Sequence, residues 1–278
     1  MKRFFLWTYA VGLVVLLVVT PFDLAISQTL FSGLNGLPRV ISELVYVPPF
    51  FIGFFGIGYY ARRFSHPSVP WWVRVMVYTL GIIGVVGLSH MFFRSMRFLP
   101  YYRIVTSFMI AGLVVAAALA SRQAMRHRWW AFDYLAAVGL GLIVTLFYVV
   151  TTLKRVFGRA RYYVVAENEA LFSEWYHIRG MVFHRDFYSI PSGHITFVSI
   201  ALWFVVVAMT IPRFRPYIKP VIVTVFVWIV WQGYLRICLG EHYVTDVVFS
   251  VLFTAALMHL SLGIARGVLG WLQTRFGM

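Results

Sequence analysis

Two short stretches of the chain gather side chains that can act on an anion. The first opens with Lys154-Arg155-Val156-Phe157-Gly158-Arg159-Ala160-Arg161 and closes with Pro191-Ser192-Gly193-His194. The second runs from Arg236 through His242 to Asp246. Lys154 and Arg161 are seven residues apart, so a continuing helix would set them on one face, two turns from each other. Cations at a membrane edge bind phosphate, and Arg adds a planar bidentate fork. Pro-Ser-Gly-His at a helix start offers backbone N–H groups, a hydroxyl and the positive end of the helix dipole. Gly193 lets the backbone come close to a ligand. His242 and Asp246 are four apart, so one helical turn can set the carboxylate against the imidazole. Such a pair fixes the tautomer, stabilises imidazolium and leaves the other ring nitrogen as a nucleophile. His194 can protonate a leaving alkoxide. Two histidines, three cations and a carboxylate suffice for phosphoryl transfer.

Taken singly, each piece has a plainer role. Cations anchor span ends, Pro-Ser-Gly forms a turn and N-cap, and a His-Asp pair is a structural hydrogen bond. What gives them chemical meaning is the set of elements that must hold them. The chain has 278 residues, 61% hydrophobic and only 12% charged, with a formal net charge of +15. Its mean hydropathy is +0.82. These values exclude a disordered chain and a soluble globule. The cations lie between apolar runs and not on a polar face, which favours a membrane and a phosphate-bearing lipid over nucleic acid. The lone Cys238 excludes an intramolecular disulfide framework and a cysteine-based zinc site.

Eight uncharged stretches are long enough to cross the hydrocarbon: 4–22, 44–61, 75–93, 104–121, 134–153, 194–212, 220–235 and 247–265. The expected fold is an all-α polytopic bundle, since backbone groups in lipid must pair within their own segment. The second stretch carries Pro48-Pro49 near its start, and 24–38 is too short to span and reads as an interfacial or re-entrant segment. The first is expected to remain as an uncleaved span and not a signal peptide. With the N-terminus inside, thirteen Lys and Arg fall on the cytoplasmic side. Outside the two chemical segments, four (Arg39, Arg94, Arg97 and Arg103) fall on the outer side. This imbalance sets both termini in the cytoplasm and both chemical segments on the outer face. Trp71-Trp72, Trp129-Trp130 and Tyr59-Tyr60 fall at span ends, as interfacial belts do. His90 and His259 fall within spans and read as helix contacts, and His66 and His127 as loop residues. His177 and His184 lie in the outer loop and are not assigned to the site. One domain is expected, 1–278, with helices in 1–130 preceding a motif-bearing region, 131–278.

At these residues the sequence resembles the type 2 phosphatidic acid phosphatase (PAP2) superfamily. Its signature is Lys-x6-Arg-Pro, then Pro-Ser-Gly-His, then Ser-Arg-x5-His-x3-Asp. Here stand Lys154-x6-Arg161, Pro191-Ser192-Gly193-His194 and Arg236-x5-His242-x3-Asp246, with Tyr162 in place of Pro and Leu235 in place of Ser. The similarity covers about residues 134–265, and it implies a six-helix core with two extra helices ahead of it. It further implies that His242 attacks phosphorus, Asp246 orients His242, and His194 protonates the leaving group and then activates water. Lys154, Arg161, Arg236, Ser192 and Gly193 are implied to hold the phosphoryl oxygens, with no metal or organic cofactor. Gly158-Arg159-Ala160-Arg161 is similar to the first motif of bacterial lipid A phosphatases in this superfamily. The implied activity is that of a bacterial inner-membrane lipid phosphatase with its site facing the periplasm. Candidate substrates are lipid A, phosphatidylglycerophosphate, phosphatidic acid and undecaprenyl diphosphate. Two other functions fit the same residues, a lipid phosphotransferase and a phospholipid flippase. The loop 162–190 is expected to fold over the site and to help choose the headgroup.

Overall fold

The computed structural model describes residues 1–33, 37–65, 67, 69–95, 101–127, 129 and 131–276, with the backbone alone at 37, 95 and 269–276. His66, Arg97, Arg128, Trp130 and the side chain of Arg275 lie outside the described residues. All regular structure among the described residues is helical. In chain order the helices are α1 (Lys2–Val19), α2 (Asp23–Leu30), α3 (Leu37–Glu43), α4 (Val47–Arg63), α5 (Trp71–Ser95) and α6 (Tyr102–Arg126). They continue with α7 (Phe132–Phe157), α8 (Tyr162–Val165), α9 (Gly193–Ser199), α10 (Leu202–Thr210), α11 (Ile218–Cys238) and α12 (Val244–Phe276). Among these residues eight segments are long and apolar enough to cross a membrane: Lys2–Leu30, Pro38–Arg63, Trp71–Arg94, Tyr102–Arg126, Phe132–Val165, Gly193–Thr210, Pro212–Cys238 and Val244–Val268. They match the eight expected spans in number and order. The protein is an integral membrane helical bundle.

The first two spans differ in detail from the sequence expectation. Residues 24–30 do not form a separate re-entrant segment. They belong to α2, which extends α1 through the Thr20–Phe22 turn and carries the buried Asp23 in its first turn. Pro48 and Pro49 stand at the start of α4, where a missing N–H costs no helical hydrogen bond.

α7, α9, α11 and α12 pack together, and α4 lies against α5, α6 and α7. Lipid solvates apolar side chains as well as a protein interior does, so these contacts depend on close packing and hydrogen bonds. A Cβ on Gly139 of α7 would stand 2.5 Å from Ile52 Cγ2 of α4, so glycine there lets the two helices close. Trp203 of α10 donates to the Leu135 carbonyl of α7 at 2.8 Å. His259 is a helix contact, stacked 4.6 Å from Phe5 with Nδ1 3.2 Å from the Tyr9 hydroxyl. His90 is exposed on α5, where it lines a groove with Tyr102, Arg103 and Ser107 of α6.

Tyr59 and Tyr60 are not a lipid-facing belt either. Tyr59 donates to Asp133 Oδ1 at 2.8 Å and Tyr60 to the Asp133 carbonyl at 2.5 Å, because a half-buried carboxylate beside Arg63 needs donors. Trp71 and Trp72 do face outward. The end of the bundle opposite Asp133 gathers the C-terminal ends of α7 and α11 with the starts of α9 and α12.

Candidate active site

α7 stops at Gly158, whose φ of +59° is the left-handed conformation glycine adopts at helix ends. Lys154 and Arg161 therefore do not share a continuing helix, as the spacing alone suggested. Arg161 follows the break in extended backbone and caps the start of α8. Lys154 Nζ donates to the Tyr188 carbonyl at 3.0 Å. It stands 3.7 Å from where a Cβ on Gly193 would lie, directly over the Pro-Ser-Gly-His turn. The Arg161 N–H donates to the Asp186 carbonyl at 2.8 Å, while its Nε is buried without a protein partner. Tyr162 occupies the first position of α8, a place where proline also fits, and packs edge-on against Phe31 and Tyr243.

Ser192 caps α9, its Oγ accepting from the Ile195 N–H at 3.3 Å. Its own N–H is not free for a ligand, because it donates to Ser250 Oγ at 2.8 Å. His194 Nε2 lies 3.4 Å from the Tyr46 hydroxyl and 3.6 Å from Glu43 Oε2. Glu43 also holds Arg236: Nη2 donates to Glu43 Oε1 at 2.9 Å and to the Ser42 carbonyl at 2.8 Å. On the other side, Arg236 Nη1 donates to Glu241 Oε2 at 3.0 Å.

His242 precedes α12, so its relation to Asp246 is not a helical turn. Its Nδ1 lies 3.8 Å from Asp246 Oδ2, within ion-pair range but beyond a hydrogen bond. Asp246 Oδ2 instead accepts from the Tyr243 N–H at 3.0 Å and from the Ser189 hydroxyl. Its Oδ1 accepts from Arg159 Nη1 at 2.6 Å. Burial is the main reason the His242 imidazole is pushed down to about 4, with Lys154 and Arg161 adding to burial and Asp246 opposing it. Burial acts to raise the Glu241 carboxyl, but Arg236, then His194 and His242, outweigh it and hold it well below the usual carboxylate range. At neutral pH the arrangement thus has an uncharged His242 beside an ionised Glu241.

All eight expected residues, Lys154, Arg161, Ser192, Gly193, His194, Arg236, His242 and Asp246, stand at this one end of the bundle. His194, Glu241 and His242 each bring a donor atom within 4.8 Å of the others, a spacing a metal ion could bridge. Lys154 and Arg161 stand at the same end of the bundle, and Arg236 is shared there between Glu43 and Glu241. Of the loop 162–190, the closing residues Asp186, Tyr188 and Ser189 enter the site. The stretch 179–182 runs along the end of α7, hydrogen-bonded to Arg155, Val156 and Phe157. His177 and His184 are exposed, and His184 pairs with Asp186 at 3.4 Å.

Residues 130–267 match the family model of the PAP2 superfamily. The motif-bearing half of this chain belongs to the PAP2 superfamily. Among curated proteins, the chain is similar to the lipid A 1-phosphatase of Rhizobium johnstonii, 29% identical over 149 residues, 51% of this chain and 50% of that relative. It is likewise similar to the lipid A 1-phosphatase of Rhizobium etli, 29% identical over 147 residues, 50% of this chain and 52% of the relative. The chain thus spans about half the length of the curated relatives it matches. No solved structure matches it significantly.

Sequence reasoning left out Asp23, Glu43, Arg159, Ser189, Glu241 and Thr245, of which Asp23 and Glu43 lie outside the PAP2 region. A usable signal existed. Of the nine acidic residues, only Asp23, Glu43 and Asp133 lie outside the two chemical segments. An acid at the edge of an apolar span is a functional-site pointer in its own right, and two of these three join the PAP2 residues.

Proposed function

We propose that this PAP2 membrane protein is a lipid phosphatase acting on a phosphate group at the outer face of the bacterial inner membrane. The observation that carries the reading is the meeting of an uncharged buried His242 with Asp246, His194 and three cations at one end of the bundle.

A ring nitrogen of His242 attacks phosphorus while the bond to the lipid oxygen breaks, and His194 gives that oxygen its proton. Asp246 balances the charge left on the phosphorylated imidazole. Water then attacks the same phosphorus, gives its proton to His194, and the N–P bond breaks to release phosphate. Lys154, Arg161 and Arg236 stabilise the oxygens on which charge builds in both steps. Glu43 and Tyr46 hold the His194 ring, and Glu43 shares Arg236 with Glu241. The reaction needs no metal. Among the candidate lipids, the 1-phosphate of lipid A comes first, because both relatives are named lipid A 1-phosphatases.

The test is phosphate release by purified protein from a panel of lipid phosphates, with and without chelator. The reading expects release from at least one lipid monophosphate or diphosphate at an unchanged rate in chelator. Transfer of the phosphate to an acceptor lipid, or release that stops in chelator and returns with added metal, would overturn it.

A further inference from the structure

The reaction above gives no role to Arg159 and Asp23, the buried partners that stand behind Asp246. Arg159 and Asp23 are both fully buried, and so is Asp246. Arg159 spans the two carboxylates, with Nη1 2.6 Å from Asp246 Oδ1 and Nη2 2.8 Å from Asp23 Oδ2. Its Nη1 also donates to Thr245 Oγ1 at 2.9 Å and its Nε to the Ser173 carbonyl at 2.8 Å, and Tyr243 covers its face at 3.9 Å. Asp23 in turn accepts the Thr245 N–H at 3.1 Å and the Thr245 hydroxyl. It therefore grips the first turn of α12 one residue ahead of Asp246 as well as the arginine that touches Asp246.

Two consequences follow from charge and geometry. A buried Arg–Asp pair standing alone would neutralise the very carboxylate that His242 faces. Sharing Arg159 between two carboxylates turns part of the guanidinium away from Asp246, so Asp246 keeps the power to support a cationic imidazole. A guanidinium held on four sides also fixes the position of Asp246 Oδ1, and with it the orientation of Oδ2 toward His242.

We propose that Asp23 is a positioning residue for the reaction, acting through Arg159 on Asp246. The N-terminal segment thereby completes a site whose motif residues all lie in the PAP2 region. This inference rests on the reading of His242 as the nucleophile.

The experiment is a single-turnover measurement on the full-length protein in detergent, with enzyme in saturating excess over a lipid phosphate that the wild type cleaves. The rate constant read this way does not depend on what fraction of a preparation is folded. Asp23→Asn is expected to lower it about tenfold or more, the worth of one charge-assisted hydrogen bond, with KM within about twofold of wild type. Arg159→Met is expected to lower it further. The double variant is expected to be no slower than Arg159→Met alone, because Asp23 acts through that arginine. A wild-type constant in Asp23→Asn, or a double variant slowed by the product of the two single effects, overturns the proposal. Should Asp23→Asn not fold, Arg159→Lys carries the same test. It keeps the charge but lacks a fork that reaches both carboxylates, and a wild-type constant in it overturns the proposal equally. His242→Ala is the control that separates the two readings. If it still turns over, the nucleophile assignment fails, whereas an inactive His242→Ala beside a wild-type Asp23→Asn sinks only the role of Asp23.

Discussion

The span made of α9 and α10 and the span made by α5 are opposite solutions to life in a bilayer. In the most apolar window of the first, 72% of the residues are buried inside the protein; in that of α5 the share is 6%. Both windows are strongly apolar, with mean hydropathies of 1.9 and 1.8. Hydropathy therefore separates neither the candidate site from the periphery nor a packed face from a lipid-facing one. What distinguishes them is polar detail. The turn that opens α9 carries Ser192, whose N–H donates to Ser250 Oγ of α12, and His194, whose ring meets the Tyr46 hydroxyl, whereas α5 turns Ile82, Ile83 and Val86 outward.

This contrast can be broken or sharpened in four ways. The largest effect is expected from His194→Asn, which should lower kcat by roughly 10²- to 10⁴-fold through loss of the acid–base group. Near-normal turnover in that variant would remove α9 from the chemistry. Next comes Glu43→Gln, which keeps the shape but removes the carboxylate shared by His194 and Arg236. We expect kcat to fall about tenfold, and an unchanged kcat would reduce Glu43 to scaffolding. A smaller effect concerns pH. His242 lies near 4 and not at the usual ~6.5, and a lowered histidine pKa means that the neutral form persists to lower pH. After correction for the titration of the substrate phosphate, the acid limb of kcat/KM is expected near pH 4; a limb near pH 6.5 would contradict the buried, uncharged nucleophile. The smallest effect belongs to α5. Val86→Ala, at a residue 62% exposed, should leave kcat unchanged and stability within about 0.5 kcal/mol of wild type.

The same contrast explains what could be read from the chain itself. The eight spans were legible because uncharged runs of membrane-crossing length are a one-dimensional signal. His194, His242 and Asp246 were legible because their spacing is fixed within single motifs. Asp23 and Glu43 were not, because each is an isolated acid whose meaning lies in partners far along the chain, Arg159 for one and Arg236 with His194 for the other. The break at Gly158 was also hidden: seven-residue spacing fits one helix face, yet Lys154 and Arg161 reach the site from either side of a left-handed turn. Tyr59 and Tyr60 misled in the opposite way. Tyrosines at a span end read as an interfacial belt until Asp133 is found between them and Arg63.

The central claim is that a phosphoryl group passes through His242. The most direct measurement is rapid quenching of the enzyme with a lipid phosphate labelled in its phosphoryl group, followed by mapping of the labelled residue. The account predicts an acid-labile, base-stable label on His242 during turnover, absent from His242→Ala. Label on any other residue, or turnover in His242→Ala at the wild-type rate, would contradict it.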